Sequence, residues 1–267
     1  MLPPNHCNNT ISSFLHVEIA QPSICALQIA LAEVYRQLVV LPHAVIGSSL
    51  GEVAAACVAG YLTFRDTMKL VYIRSISLDC MTGKGDMAII FLQAFKVREK
   101  LLSPEYKGKV EFACVNSPCH TVIAGYVDEL SSLVDYFESQ GVRRVNLKVR
   151  NAFHSFQQEE IKETFLVKTN FLQSASQHEY KKYLHRLIPM ISTVTGEFVS
   201  HEDLNSNQYW WKNIRQPVEL ERSLRRLYAC GYNVFLEIGP HAYYSKAIRE
   251  TLESASQTTD ACYHAHC

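Results

Sequence analysis

A serine stands inside a glycine-rich stretch, "GSSLG" at residues 47–51, between the apolar run "AVI" and the small-residue segment "EVAAACVAG". A short apolar run that ends in glycine is typical of a buried strand, and the segment after it has the composition of a tightly packed helix. A G-x-S-x-G sequence at such a junction predicts a sharp turn that presents the Ser49 hydroxyl above a sheet. The pattern leaves open an ordinary turn in which Ser48 or Ser49 caps the helix.

A nucleophile at Ser49 would need an oxyanion donor and a base. The N–H groups at the start of the following helix would point at the site, so the Leu50 N–H and the positive end of the helix dipole would face a developing oxyanion. Two of the 11 histidines are candidate bases. His154 lies in "AFHS", where the chain is expected to return to the larger sheet. His241, in "EIGPHA", has the late position that a serine hydrolase would use.

Apolar strand patterns alternate with helical patterns over most of the chain. The runs "HAVIGSS", "LIPMIST" and "YNVFLEIG" are typical of strands, and apolar residues recur at helical spacing over residues 20–37. The segments "VELERSLRRLYACG" and "YYSKAIRETLES" predict two further helices. This alternation favours an α/β fold with a mainly parallel sheet flanked by helices, that is, an α/β-hydrolase-like core.

The rhythm changes between residues 86 and 149, where the patterns follow the order β-α-β-β-α-β. That order is typical of a ferredoxin-like unit. We therefore predict a large α/β subdomain over residues 1–85 and 150–255, with a ferredoxin-like subdomain at 86–149 inserted into it. Residues 256–267 are predicted to form a disordered tail.

The tail ends in "ACYHAHC", and four of its side chains belong to types that bind zinc: Cys262, His264, His266 and Cys267. These residues are crowded together at a chain end, which favours a disordered segment over a metal site. We therefore predict no metal.

Composition argues against several classes of function. Lys plus Arg and Asp plus Glu both total 26, which indicates neither a nucleic-acid surface nor a polybasic membrane patch. The apolar runs fall short of a bilayer-spanning helix, so no membrane association is expected. The first residues lack the features of a secretory signal, and nine cysteines without a C-x-x-C pair fit free thiols, so a cytoplasmic location is expected.

An ordered series of motifs over residues 17–253 resembles the acyltransferase domain of type I polyketide and fatty acid synthases, the malonyl-CoA:acyl-carrier-protein transacylase fold. Each motif is weak alone, but their order is specific. The motifs are "AQPSICALQIALAEVYR", "VIGSSLGEVAAACVAGYLTFRDTMKLVYIRS", "GKGDMAII", "VNSPCHTVIAG", "AFHS", "STVTGEF", "YWWKNIRQPVELERSL" and "VFLEIGPHAYYSKAI".

The resemblance implies a role for each matching residue of the site. Ser49 would be the nucleophile, His154 its general base and acid, and Leu50 would supply one oxyanion N–H. Arg74 matches the arginine that pairs with the free carboxylate of a malonyl-type group, which a planar guanidinium can hold bidentately. Asn213 matches the position whose backbone carbonyl orients the histidine, which would give a Ser-His dyad without an acidic third member.

Three more positions bear on the pocket and its selectivity. Gln21, in "AQP", matches a glutamine that recurs near the pocket of the family. Asn151 stands where extender-selective domains usually carry His, Tyr or Val. Phe153 resembles malonyl-selective sequences more than methylmalonyl-selective ones. The resemblance therefore favours malonyl as the transferred group.

The implied reaction is a ping-pong transfer through an acyl-serine. The malonyl group would move from malonyl-CoA to Ser49 and then to the phosphopantetheine thiol of an acyl carrier protein. No cofactor or metal is bound in such a reaction. The expected partners are the acyl carrier protein and other domains of a type I synthase.

Two departures from the family pattern keep other functions open. Family members carry an apolar strand and a G-x-G-x-Q loop well upstream of the serine. Only 48 residues precede Ser49 here, so the resemblance implies an N-terminally truncated domain. Ser48 also stands where the family usually has histidine. The alternatives are a degenerate, non-catalytic module that binds a synthase partner or carrier protein, and a serine hydrolase or thioesterase.

Overall fold

Helices and strands alternate along the chain much as the sequence predicts. The computed structural model describes residues 16–174 and 187–264. The strands are β1 (Val45–Ile46), β2 (Asp86–Ile90), β3 (Val110–Ser117), β4 (His120–Gly125), β5 (Arg144–Asn146) and β6 (Met190–Ile191). The helices are α1 (Val17–Gln37), α2 (Leu50–Val58), α3 (Phe64–Asp79), α4 (Ala94–Leu101), α5 (Val127–Ser139), α6 (Lys162–Lys168), α7 (Phe171–Ser174), α8 (His201–Leu204), α9 (Asn207–Arg215), α10 (Leu220–Ala229) and α11 (Ser245–His264), with a 3-10 helix at Phe156–Ile161.

The larger unit is built around a short parallel sheet. β1 and β6 pair in parallel, with Val45 opposite Met190 and Ile46 opposite Ile191. Among the described residues this sheet has two strands, and helices pack around it. The α/β class is confirmed, although the parallel sheet is smaller than the strand patterns predict.

The strand predicted at "YNVFLEIG" is not formed. No backbone N–H between Asn233 and Ile238 donates to a backbone oxygen within the described ranges. Val234 and Leu236 are 89% and 53% exposed, although their pattern is that of a buried strand. A strand needs a neighbour to pair with, and none of the described strands is hydrogen bonded to this segment.

The inserted unit is a four-stranded antiparallel sheet in the order β3-β4-β2-β5. With α4 between β2 and β3, and α5 between β4 and β5, this is the connectivity of a ferredoxin-like unit. An isolated parallel bridge between Cys114 of β3 and Val218 links this sheet to the larger unit. The subdomain boundaries at residues 86 and 149 stay a prediction.

Both faces of this antiparallel sheet are buried, which explains the uninterrupted apolar run of β2. Ala88 and Ile90 face the cluster formed with α4 and α5, and Met87 and Ile89 face the opposite cluster. Alternate residues of a strand point to opposite faces, so a strand covered on both sides needs apolar residues throughout. Ala152, next to the His154 segment, belongs to the second cluster.

The largest core cluster lies between α2, α3, α6 and α9. Its largest fully buried side chains include Trp210, Phe165, Leu70 and Met81. Helix α2 contributes small residues, as "EVAAACV" predicts, so the neighbouring helices can approach it closely.

Helix α1 packs on α2 and α3 and is strongly apolar. By length and composition it could cross a membrane, because an 18-residue window within it has a mean hydropathy of 1.3. The expectation that no apolar stretch is long enough was therefore wrong. In this fold, however, α1 sends Gln21 and Gln28 to polar partners in the larger unit, Arg74 and the Ile238 carbonyl.

Helix α11 extends to His264, into the segment 256–267 that is predicted to be a disordered tail, and the disorder of that segment stays a prediction. The sequence from Ser245 to His264 contains no glycine or proline, so nothing in it stops a helix. Residues 265–267 lie outside the described ranges.

Leu133 of α5 allows a test of the antiparallel unit's core. It is fully buried, whereas Val127 on the same helix is 52% exposed. We expect Leu133→Ala to lower the free energy of unfolding by about 2–5 kcal/mol through the lost burial and the cavity left behind. Val127→Ala should change it by less than about 0.5 kcal/mol. Urea denaturation followed by circular dichroism measures both, and equal effects would contradict this packing.

Candidate active site

Ser49 lies on a sharp turn between β1 and α2, as the G-x-S-x-G pattern predicts. Its backbone has φ 53° and ψ −114°, a region that residues with a side chain rarely occupy. Gly47 makes the turn possible, because a Cβ atom at this position would lie 2.2 Å from the Gly51 oxygen. The Ser49 side chain makes no helix-capping bond, so the alternative of a simple N-cap is not what this residue does.

His154 contacts the Ser49 hydroxyl directly. The Ser49 Oγ atom lies 2.8 Å from His154 Nε2, and His154 Nδ1 lies 3.0 Å from the Gln216 carbonyl oxygen. A carbonyl can only accept, so Nδ1 carries the proton and donates to Gln216. Nε2 then has a free lone pair and accepts the Ser49 proton, which is the arrangement of a general base.

The histidine is neutral over the physiological pH range. His154 is only 3% exposed, and burial lowers its pKa to about 3, helped by the nearby charge of Arg74. The Gln216 carbonyl opposes this shift in pKa. The imidazole is therefore in its proton-accepting form well below pH 6.5, the usual pKa of histidine.

Arg74 is the cation of the site. It projects from α3, is 3% exposed, and donates from Nη2 to the Ser49 Oγ atom at 2.9 Å and from Nη1 to the Gln21 side-chain oxygen. Within the described part of the chain it forms no ion pair, and its Nε atom has no partner. Burial lowers its pKa to about 10, so the guanidinium stays charged at neutral pH.

The Leu50 N–H is available as an oxyanion donor. Leu50 is the first residue of α2, and no oxygen among the described residues accepts a hydrogen bond from its N–H. The first N–H groups of a helix lack intrahelical partners and carry the positive end of the helix dipole. The structure thus leaves this donor free beside Ser49.

Asn213 does not orient His154, contrary to the sequence prediction. The carbonyl oxygen at Nδ1 belongs to Gln216, three residues further along and just past the end of α9. The Asn213 side chain instead donates to the Ser49 carbonyl oxygen at 3.1 Å and to the Glu52 carboxyl group at 2.9 Å. The sequence alone could not show which carbonyl of "KNIRQPV" faces His154, because this depends on where α9 ends. The helix ends at Arg215, and Gln216 has an extended backbone.

The structure gives the remaining predicted residues different surroundings. Gln21 lies in the site through its contact with Arg74. Asn151 is fully buried and uses both halves of its amide within the protein, donating to the Leu78 carbonyl and accepting from the Gln158 side chain. Its predicted part in selectivity is therefore unsupported.

Phe153 packs between the largest core cluster and the cluster on one face of the antiparallel sheet. It thereby places His154 where the two units meet, and its predicted part in selectivity stays a prediction. His241, the base expected for a hydrolase, is exposed, and the contact with Ser49 is made by His154.

Sequence reasoning missed several residues that hold the turn. The Tyr244 hydroxyl donates to the Ser48 hydroxyl at 2.9 Å. Glu52 and Thr193 form a buried hydrogen-bonded pair behind Ser49. Glu52 could have been suspected, because it is a carboxylate at the start of an otherwise small and apolar helix. Nothing in the sequence points to Thr193 or Tyr244.

Among the side chains that the structure describes, residues 16–174 and 187–257, no group of three His, Cys, Asp or Glu is placed to hold a metal ion. The zinc alternative at Cys262, His264, His266 and Cys267 rests on side chains outside the described part of the protein.

Comparisons with known proteins agree on one family. The family model for the acyl transferase domain matches residues 7–263. Polyketide synthase GfsE of Streptomyces halstedii is 34% identical over 239 residues, which are 90% of this chain and 6% of that protein. Erythronolide synthase EryA2 of Saccharopolyspora erythraea is 33% identical over 245 residues, which are 92% of this chain and 6% of that protein. The chain thus spans a small part of these relatives.

Solved structures give the same result. The acyltransferase domain from module 8 of the salinomycin polyketide synthase superposes with a TM-score of 0.82 at 34% identity, covering 91% of this chain and 55% of that one. A loading acyltransferase from the avermectin modular polyketide synthase has a TM-score of 0.80 at 26% identity, covering 90% and 73%. With the serine turn and the order of its motifs, these matches show that the chain belongs to the acyl transferase domain family and is an acyltransferase domain of the type I polyketide synthase kind.

Proposed function

We propose that this domain moves a malonyl-type acyl group from coenzyme A to the phosphopantetheine thiol of an acyl carrier protein, through an acyl-Ser49 intermediate. Family membership supports acyl transfer in polyketide synthesis. The malonyl-type substrate, the carrier protein and the residue roles are our proposal.

One observation carries the choice of substrate. A buried guanidinium without a carboxylate partner lies 2.9 Å from the nucleophilic oxygen. A buried charge is costly unless it is paired, so the site is incomplete until an anion arrives. An acyl group with a free carboxylate would supply that anion and would be oriented by Arg74 with its thioester carbon toward Ser49.

The first half-reaction follows from the contacts around Ser49. His154 Nε2 takes the hydroxyl proton as Oγ attacks the thioester carbonyl carbon. The carbonyl oxygen becomes an oxyanion facing the Leu50 N–H and the start of α2. When the tetrahedral intermediate collapses, the C–S bond breaks and the coenzyme A sulfur leaves with the proton from His154. The Gln216 carbonyl keeps the imidazole in the required tautomer throughout.

The second half-reaction runs the same steps in the opposite direction. His154 takes the proton of the phosphopantetheine thiol, the sulfur attacks the acyl-serine carbonyl, and Ser49 leaves with the proton restored. No step requires a metal or a redox cofactor. This chemistry distinguishes the proposal from a hydrolase or thioesterase, in which water would take the place of the thiol.

The surroundings of the domain are proposed on the same basis. Its curated relatives are far longer than this chain, which supports work alongside other synthase domains. The described cysteines include six free thiols, which supports a reducing, cytoplasmic location. The contacts of Ser49 with His154 and Arg74 support catalysis over a degenerate binding module.

Intact-protein mass spectrometry after incubation with malonyl-CoA tests the proposal. We expect one malonyl adduct on the wild type, because Ser49 is already in contact with its base. Ser49→Ala should carry no adduct, and circular dichroism should show that both proteins are folded. Absence of the adduct from a folded wild type would exclude transfer by this chain alone. Rapid release of free malonate would instead identify a hydrolase.

Replacing Arg74 with glutamine tests the recognition of the carboxylate. Without the guanidinium, a bound malonyl carboxylate would be buried and unpaired, so we expect the kcat/KM for acylation by malonyl-CoA to fall by roughly 100-fold. Acylation by acetyl-CoA, which has no free carboxylate, should fall by much less or should rise. Stopped-flow acylation of the wild type and of Arg74→Gln, each with malonyl-CoA and with acetyl-CoA, measures this change. An equal loss with the two donors would contradict a carboxylate-binding role.

The pH profile of acylation should reflect the low pKa of His154. With a pKa of about 3 the base stays neutral at pH 5, so the acylation rate should change by less than about threefold between pH 5 and pH 8. A histidine with its ordinary pKa would be about 97% protonated at pH 5 and would slow acylation about 30-fold. The second-order rate constant for acylation, measured well below the half-saturating malonyl-CoA concentration, reports the free enzyme and distinguishes the two, with circular dichroism at each pH as the folding control.

A further inference from the structure

The chain contains a fully buried carboxyl group that the proposed chemistry does not use. Glu52 lies in the first turn of α2, and its side chain points behind the Ser49 turn. It is 0% exposed, and it forms no ion pair within the described residues. Ionised carboxylates are almost never buried without a partner of opposite charge. The question is what Glu52 does there and in which charge state.

Three neutral side chains lie within hydrogen-bonding distance of the Glu52 carboxyl group, and a fourth, Ser192, also lowers its pKa. The Tyr209 hydroxyl is hydrogen bonded to Oε1. Thr193 Oγ1 and Asn213 Nδ2 each lie 2.9 Å from Oε2. These residues come from α9 and from the segment after β6, so Glu52 joins both to the first turn of α2.

Two of these partners continue to the backbone on either side of the nucleophile. Thr193 Oγ1 lies 2.8 Å from the Gly47 carbonyl oxygen, and Asn213 Nδ2 lies 3.1 Å from the Ser49 carbonyl oxygen. The Gly47 and Ser49 carbonyl groups are thus hydrogen bonded to side chains that are themselves hydrogen bonded to Glu52. A backbone in a rarely populated region persists only when its surroundings enforce it.

Counting protons decides the charge state of Glu52. The Thr193 hydroxyl has one proton and lies between two acceptors, the Gly47 carbonyl and Glu52 Oε2. If Glu52 were ionised, one of those two contacts would bring two lone pairs together at hydrogen-bond distance. If Oε2 carries a proton, it donates to Thr193, which donates to Gly47, while Oε2 still accepts from Asn213. Both contacts of the Thr193 hydroxyl are then satisfied.

We propose that Glu52 is a positioning residue for Ser49 and acts as the uncharged carboxylic acid, donating through Thr193 to the Gly47 carbonyl. Its bearing on acyl transfer rests on the proposed function. A neutral Glu52 also leaves the charge of Arg74 uncompensated, and that charge is what the substrate carboxylate needs. Burial supports the assignment, because it raises the pKa of this carboxyl group.

The pH dependence of stability tests the charge state. The unfolded chain releases the Glu52 proton above about pH 4.3, whereas the folded protein keeps it, so stability contributed by this group declines as the pH rises. Glu52→Gln has no such proton. We expect the unfolding constant of the wild type, divided by that of Glu52→Gln, to rise about tenfold per pH unit from pH 5 to pH 7.

Other groups do not confuse this ratio. The titratable or charged groups facing Glu52 are Tyr209, whose pKa is raised by burial, and Arg74, whose pKa is about 10, and neither titrates between pH 5 and pH 7. His154 contributes equally to both proteins. Glu163→Gln, which removes an exposed carboxyl group on α6, is the matched control, and the ratio for Glu52→Gln should rise well above the control ratio. A pH-independent ratio for Glu52→Gln would overturn the uncharged assignment.

Thr193 tests positioning separately from folding. Thr193→Val keeps the volume but removes the hydroxyl that joins Glu52 to Gly47, and Thr193→Ser restores the hydroxyl. We expect Thr193→Val to slow single-turnover acylation about tenfold at saturating malonyl-CoA, with the half-saturating concentration unchanged, and Thr193→Ser to recover the rate. Equal rates in folded Val and Ser variants would overturn the positioning role.

A second readout keeps this test independent of the substrate. Phenylmethanesulfonyl fluoride labels an activated serine without needing malonyl-CoA, so its rate of reaction with Ser49 reports the turn alone. We expect the Ser49 of Thr193→Val to react with this reagent about tenfold more slowly than the Ser49 of the wild type. Thr193→Ser should react at the wild-type rate. If the wild type reacts with this reagent but not with malonyl-CoA, the proposed function fails while the role of Glu52 is still decided.

Discussion

The backbone conformation of Ser49 is the constraint on which the site depends. With φ 53° and ψ −114°, this residue puts its hydroxyl between His154 Nε2 and the guanidinium of Arg74, and the N–H of Leu50 has no acceptor among the described residues. The base comes from 105 residues further along the chain, and the arginine comes from α3. A different conformation at this one residue would break both contacts. The close approach of β1 and α2 at Gly47 and the hydrogen bonds to the flanking carbonyls therefore determine whether the other residues meet a nucleophile at all.

The parts of the site that sequence reasoning found are those that a local pattern specifies. Ser49 and the free Leu50 N–H follow from a strand, a turn and a helix in one short stretch, and the resemblance identified His154 and Arg74. The parts that it missed depend on where distant segments meet. Gln216 faces His154 only because α9 ends just before it, and the resemblance placed that role three residues too early, at Asn213.

The fold was predictable where each element carries its own signal and less so where an element needs a neighbour. The order of strands and helices predicts a strand at β2, and its apolar residues on both faces pack into the clusters on the two sides of the sheet. The segment "YNVFLEIG" has an equally clear strand pattern, yet Val234 and Leu236 stay exposed, because backbone pairing requires a partner strand that the described residues do not provide. The C-terminal end of α11 shows the opposite case, in which weak helix formers continue a helix because no residue stops it.

The charges of the site form one consistent arrangement. Burial keeps His154 neutral, and a protonated Glu52 would be neutral too, so the guanidinium of Arg74 is the one formal charge next to Ser49 among the described residues. An ionised Glu52 would attract the guanidinium and reduce its hold on any incoming anion, and a protonated His154 would repel the guanidinium and could not accept the serine proton. A single unpaired cation beside a neutral base suits a substrate that brings its own carboxylate. On the proposed function, the buried environment that makes an unpaired Arg74 costly would also make it selective for a substrate with a carboxylate, because an uncharged acyl group would leave the guanidinium unpaired.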